Sequence, residues 1–426
     1  MRKFLIIWIG QLISTVGSGL TGFALSIWIY QETGQAAPFV YTALFSSLPI
    51  VMFSLFAGAL VDRWNRRWVM ILADVGAALA TLGVFLLYRS GNLEVWHIYV
   101  SSFLAALFAT FQLPAFNASI TLLVPKEQLT RANGLVQTGL SVQGLISPLL
   151  AGLLVGIIGV SGMMLIDFAT FFAAVGTLLL IPIPQPEMTE EKKAQKIVTD
   201  IQHGWDFLRQ RPGLLALAAY IGLVNVMSTS VIALVAPLIL SFSNAQILGL
   251  TETISSLGLL LGGILISTWG GTQRKMTGIY GGVLLAGLGL MFGGLRSVFW
   301  WIALGIFLFL FPLPTVNAQL RSIVQVKSPA DLQGRVFSVI FMIARLGPPI
   351  GFLVSAPLAD RVFEPGMLPA GWLAPLLGPL FGVGTGRGIG VMMSLAGLGC
   401  WLVTAFMYAY PRLRNVETEL PDAVES

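Results

Sequence analysis

Charge is what this sequence has least of. Only 10% of its 426 residues are Asp, Glu, Lys or Arg, where a soluble domain uses roughly a quarter to cover its surface. That scarcity excludes a water-soluble globular protein of this length. The single cysteine, Cys400, excludes an internal disulfide and any cysteine metal cluster. The two histidines, His97 and His203, stand far apart without ligand spacing, so no metal site is expected. No Ser-His-Asp set, phosphate loop or dinucleotide motif is present, and glycine pairs such as Gly281-Gly282 lie within apolar runs. The sequence therefore predicts neither an enzyme nor a cofactor. The net charge of +5 is not a nucleic-acid signal, because the basic residues flank apolar runs, where they set topology and meet lipid headgroups.

What is abundant is hydrophobic surface, at 56% of residues. With about 20 residues per crossing and short loops, the chain has room for roughly 12 to 14 spans. The apolar runs predict an all-α membrane protein of twelve helices: 4–30, 39–61, 68–88, 96–123, 131–158, 162–183, 214–242, 247–268, 276–294, 298–324, 333–360 and 387–410. The run behind Met1-Arg2-Lys3 continues to about Tyr30 without a well-placed small-residue cleavage site, so it reads as a retained first span. With both ends inside, only Arg89, Arg296, Arg361 and Arg387 fall outside and Arg345 lies within a span, leaving 19 of the 24 Lys and Arg on the cytoplasmic side. A wrong helix count would scramble that asymmetry. The expected location is a bacterial plasma (inner) membrane, multi-pass, with both termini cytoplasmic.

The two halves repeat. Leu113-Pro114-Ala-Phe-Asn117-Ala118 matches Leu313-Pro314-Thr-Val-Asn317-Ala318 at a spacing of 200, and the same register pairs Gly134 with Gly334 and Pro148 with Pro348. The expected organisation is two six-helix pseudo-symmetric bundles, 1–183 and 214–410, a cytoplasmic linker over 184–213 and a cytoplasmic tail over 411–426. The linker carries an amphipathic pattern with Ile197, Ile201, Trp205 and Leu208 on one face. Segment 362–386, rich in Gly and Pro yet apolar, reads as an ordered or re-entrant outer loop.

Gly58-Ala-Leu-Val-Asp62-Arg63-Trp-Asn-Arg66-Arg67 packs one acid and three arginines between two apolar runs. Such density cannot sit in hydrocarbon and marks the cytoplasmic surface. The Gly-x-x-x-Asp-Arg-x-x-Arg-Arg spacing resembles the loop between helices two and three of the major facilitator superfamily of membrane transporters. The second copy, Gly263-Ile-Leu-Ile-Ser267 ending in Arg274-Lys275, is degenerate. The resemblance implies that Gly58, Asp62, Arg63, Arg66 and Arg67 form a conformational latch against the start of the eleventh span near Asp331 and Arg335, with Asp74 a candidate partner for one arginine. Gly144, Ser147, Pro148 and Gly152 on the fifth span resemble, loosely, the antiporter signature of drug exporters; generic small-residue packing reads equally well. The Asn-Ala pattern of the fourth and tenth spans, with the glycine that follows each, and Leu358-Ala-Asp360-Arg-Val-Phe-Glu-Pro resemble the bacterial macrolide-efflux-type branch of drug:proton antiporters. One departure stands out: many proton antiporters of the superfamily carry an arginine in the middle of helix four, and here that stretch has none.

Ionisable residues within spans are costly in lipid and should face a cavity or a partner. Asp167, Glu252 and Arg345 are therefore the proton-coupling candidates. Gln11, Trp28, Gln112, Asn117, Gln137, Gln143, Asn225 and Asn317 are cavity candidates, with helix–helix hydrogen bonding the alternative for each. The expected activity is secondary active export of an amphipathic small molecule, drug- or macrolide-like, by alternating access in exchange for protons. The expected partners are that substrate, protons and membrane lipids, with a monomer as the working unit. Export of a lipid or siderophore-like metabolite, and a non-transporting sensor or scaffold on the same fold, are the alternatives.

Overall fold

The structure is a computed structural model that describes residues 1–185, 197–329 and 332–419; for Leu55, Ala59, Asp62, Glu127, Thr130 and residues 197–201 it describes the backbone alone. Eleven stretches among these are long and apolar enough to cross a membrane. Their outer faces carry large apolar side chains that water would not tolerate, such as Ile157 and Leu180 at 79% exposure and Phe406 at 74%. The protein is a multi-pass membrane protein whose solvent is lipid.

The chain divides into two compact units, Met1–Gln195 with Asn244–Thr253, and Lys196–Ser243 with Ile254–Ser426. The first holds α1 (Arg2–Thr33), α2 (Ala37–Arg63), α3 (Arg66–Arg89), α4 (Val95–Leu123) and α5 (Leu129–Leu180). At 52 residues, α5 would be about 78 Å long if straight, far more than one bilayer. It turns at Gly159, whose φ of 66° and ψ of −178° lie outside the helical region and are open to glycine alone. A Cβ on Gly19 of α1 would meet Ser147, and one on Gly17 would meet Thr170. A single turn of α1 thus touches residues 147 and 170 of α5, so its two limbs run back along the same helix. Counted as two crossings, α5 brings the total to the expected twelve, and the predicted boundary between 158 and 162 brackets the turn.

The second unit holds α6 (Ile197–Arg209), α7 (Pro212–Ile232), α8 (Val235–Leu240), most of α9 (Ala245–Trp269), α10 (Lys275–Gly294), α11 (Phe299–Leu310), α12 (Leu313–Lys327), α13 (Gln333–Leu358), α14 (Ala374–Phe381) and α15 (Arg387–Ala409). Its core gathers Leu208, Leu214, Leu217, Tyr220, Ile279 and Val339. The tenth span, expected as one helix, is α11 followed by α12, because Pro312 has no N–H for the Leu308 carbonyl. The linker helix buries Leu208 of its predicted face but not Trp205. Gly204, Phe207 and Leu208 are buried and Trp205 is exposed, since Gly204 packs against the Arg335 carbonyl, where a Cβ would sit 2.6 Å away. The side chains of Ile197 and Ile201 lie outside the described residues.

Segment 362–386 is ordered. Glu364 accepts the N–H groups of Gly386 (2.9 Å) and Ile389 (2.8 Å), which caps α15. The tail is also held as far as it is described: Glu417 accepts the N–H groups of Lys275 and Met276, each at 3.0 Å, at the start of α10. A carboxylate there is favoured by the helix dipole.

Candidate functional site

On α1, Gln11, Ser14, Thr15, Ser18, Thr21 and Gly22 recur every three or four residues, so they share one face of an otherwise apolar helix. On α3, Asp74 and Thr81 are two turns apart on a common face. The second limb of α5 adds Asp167, and α4 adds Gln112 at the far end of a row of serines and alanines. These faces meet inside the first unit around a cavity of about 370 Å³. The small residues leave the volume open, and the polar ones line it.

Two carboxylates face this cavity, each held differently. Asp74 accepts from Gln11 Nε2 at its Oδ2 (2.9 Å) and from Gln112 Nε2 at its Oδ1, while Gln112 Nε2 also donates to Gln11 Oε1 (2.9 Å). Both Asp74 oxygens therefore face amide donors, the arrangement an ionised, acceptor-only carboxylate requires. A proton on Oδ1 would confront the Gln112 N–H and force that amide to turn its oxygen over, breaking its bond to Gln11. Asp167 sits among hydroxyls: Ser18 Oγ donates to Oδ1 (2.9 Å) and Thr81 Oγ1 to Oδ2 (3.4 Å). Among the described residues no Lys, Arg or His lines the cavity, so none of these offsets its two acids at its wall.

A family model for the Major Facilitator Superfamily matches residues 7–352 of this chain. The chain belongs to the major facilitator superfamily. Macrolide efflux protein A of Streptococcus pyogenes is 30% identical over 367 residues, covering 84% of this chain and 90% of that protein. The multidrug efflux pump Tap of Mycolicibacterium fortuitum is 24% identical over 383 residues, covering 84% and 89%. Among solved structures, a bacterial homologue of the human lysosomal transporter Spinster, in an inward-facing and unoccupied conformation, superposes with a TM-score of 0.72 at 16% identity over 97% of each chain. That likeness carries the fold alone. The superfamily is one of transporters, and this facilitator is a transporter, not an enzyme.

Within this facilitator the predicted residues separate into groups. Gln11, Gln112 and Asp167 line the cavity. Asp74, expected beside the loop arginines, lines it too. It lies eight residues into α3 from Arg66, about 12 Å along the helix, and its carboxylate reaches Gln11 and Gln112 instead. Glu252 is half-buried on α9 and Arg345 exposed on α13, and neither lines this cavity. Trp28, Asn117, Gln137 and Gln143 do not line it either, and Asn117, Gln137 and Asn317 are exposed. Asn225 of α7 donates to the Ala344 carbonyl (3.0 Å), the one that Pro348, lacking an N–H, leaves unpaired in α13.

In the signature loop, Arg67 donates from Nε to the Leu178 carbonyl (2.7 Å) and from Nη2 to that of Leu179 (2.6 Å), tying the end of α5 to the start of α3. Arg66 is buried, Arg63 is exposed, and a Cβ on Gly58 would meet open space. The Asp62 side chain and Asp331 lie outside the described residues. Gly152 approaches the Ala245 carbonyl of α9, its would-be Cβ lying 3.0 Å away, and a Cβ on Gly249 would lie 2.4 Å from the Pro148 carbonyl. Ser147 donates to the Val16 carbonyl (3.3 Å), while Gly144 is half-buried. This stretch is therefore a packing seam for α1 and α9.

Sequence reasoning passed over Ser18, Thr21 and Thr81. The spacing of polar residues on α1 carried the signal, though single serines and threonines in spans commonly bond their own helix. It also passed over Asn65, whose Oδ1 accepts the Trp68 N–H (3.2 Å) and caps α3.

Proposed function

We propose that this protein exports an amphipathic small molecule, drug- or macrolide-like, by alternating access in exchange for protons. Asp74 is the group that exchanges the proton, and Asp167 is the second charge of the same cavity. The observation that carries this reading is the pairing of two buried acids around one cavity with no basic residue at its wall among the described residues. Burial makes a lone carboxylate sensitive to its surroundings, and the amide network gives Asp74 a defined rearrangement on protonation that links α1, α3 and α4. The roles for which these relatives are named, macrolide and multidrug efflux, support export as the direction.

In this reading the protein sits in a bacterial plasma (inner) membrane as a monomer with both termini cytoplasmic, supported by the 19-to-4 charge asymmetry. The loop of Gly58, Asp62, Arg63, Arg66 and Arg67 serves as the cytoplasmic latch of the first half, and its degenerate copy near Ser267 serves the second.

The test is accumulation of a panel of lipophilic antibiotics and dyes in cells lacking their own pumps. The wild type is expected to lower accumulation of at least one compound. A protonophore and Asp74→Asn are each expected to abolish that effect, and Asp62→Asn to weaken it. Export that persists in Asp74→Asn at the wild-type level would remove Asp74 from coupling. No response from any compound, with the protein folded in the membrane, would move the substrate class to lipids and secreted metabolites.

A further inference from the structure

The two acids of the cavity are wrapped by donors of different capability. Around Asp74 the donors are amide nitrogens, which have no lone pair to offer a cation. Around Asp167 they are hydroxyls. Ser18 Oγ lies 2.9 Å from Oδ1 and Thr81 Oγ1 3.4 Å from Oδ2. Thr21, only 6% exposed, lines the same cavity about one turn along α1 from Ser18, and its hydroxyl has no hydrogen-bond partner among the described residues. A buried hydroxyl left in that state calls for an explanation.

A hydroxyl is both donor and acceptor and turns about its own bond without moving the backbone. Turned away from Asp167, the three hydroxyls present lone pairs beside the two carboxylate oxygens. Five hard oxygens from three helices then stand on the wall of one cavity with a single negative charge. Hard oxygen sets of this kind suit alkali and alkaline-earth ions rather than soft metals. One carboxylate is too little charge for a tight divalent site, which gathers several. All four residues open onto the cavity, so an ion has an entry path and water to complete its shell.

We propose that Asp167, Ser18, Thr21 and Thr81 form a binding site for a monovalent cation, with sodium as its ion. Bound sodium and a proton on Asp167 exclude each other, so the site would let a cation gradient act on the transporter alongside the proton at Asp74. That use rests on the export reading above, but the binding does not.

The test is thermal unfolding of the purified full-length protein in detergent, titrated with sodium chloride against choline chloride at constant ionic strength. A bound ion stabilises the folded state in a saturable way. Sodium is expected to raise the melting temperature saturably, and choline is not. Asp167→Asn and Thr21→Val are expected to abolish the rise, while Asp74→Asn keeps it. Ser18→Ala and Thr81→Val are each expected to raise the half-saturating sodium concentration by about tenfold, as loss of a supporting ligand does at metal sites. No saturable difference between the two salts, or a rise that survives in Asp167→Asn, would overturn the proposal. If Asp167→Asn does not fold, an unchanged half-saturation in Thr21→Val would overturn it. The readout involves no drug and no flux, so failure of the export reading leaves it intact, and its own failure leaves export intact.

Discussion

At the scale of single residues, the polar side chains of the spans divide into those that serve the cavity and those that serve the backbone. Asn225 belongs to the second kind. It fills the place of the N–H that Pro348 removes from α13, donating to the Ala344 carbonyl at 3.0 Å. Asn225→Leu leaves that carbonyl unpaired in an apolar interior. The expected cost is about 1 kcal/mol, within the range of interhelical hydrogen bonds in membranes, read as a lower melting temperature in detergent with sodium dependence unchanged. Gln11 and Gln112 belong to the first kind. Nothing in the sequence alone distinguished their role from that of Asn225, because an amide in a span reads the same whether its partner is a carboxylate or a freed carbonyl.

At the scale of elements, glycine decides how close the helices come. Gly249 of α9 lies against the Pro148 carbonyl, where a Cβ would be 2.4 Å away, whereas a Cβ on Gly22 of α1 would meet nothing within 4 Å. Gly249→Ala must push backbone apart and is expected to cut the yield of folded protein and lower the melting temperature by several degrees. Gly22→Ala is expected to fall within about 0.5 kcal/mol of the wild type, as for a surface change. Equal effects from the two would show that the seam at Pro148 is not a tight one. The repeat is also less symmetric than its motif suggests. The register that pairs Leu113 with Leu313 places Pro312 where Gln112 stands. The second copy therefore breaks its helix at the position that in the first copy supplies a cavity ligand.

At the scale of the whole molecule, twelve crossings put both termini on one side of the membrane. The native Cys400 is 2% exposed and is expected to give little background labelling, so introduced cysteines can report the side directly. Ser90→Cys, in the exposed turn between α3 and α4, is expected to react with a membrane-impermeant maleimide in intact cells. Gln185→Cys and Thr418→Cys are expected to react only after permeabilisation. Labelling of Thr418→Cys in intact cells would invert the topology.

The sequence by itself determined the class of protein, the number of spans and the internal repeat. Each follows from a one-dimensional constraint: lipid demands an apolar run of fixed length, and charge is tolerated only at its ends. It also located the acids and amides that lipid makes costly. Tertiary structure alone decided which of them meet. Gln11 finds Asp74 across 63 positions and Ser18 finds Asp167 across 149, pairings set by how α1 lies along the folded-back limb of α5 and faces α3 at the cavity. The same packing moved Asp74 from the expected latch to the cavity and made Asn225 a prop for α13. Hydropathy is blind to these outcomes, because it records how apolar a helix is and not the direction in which its few polar groups point.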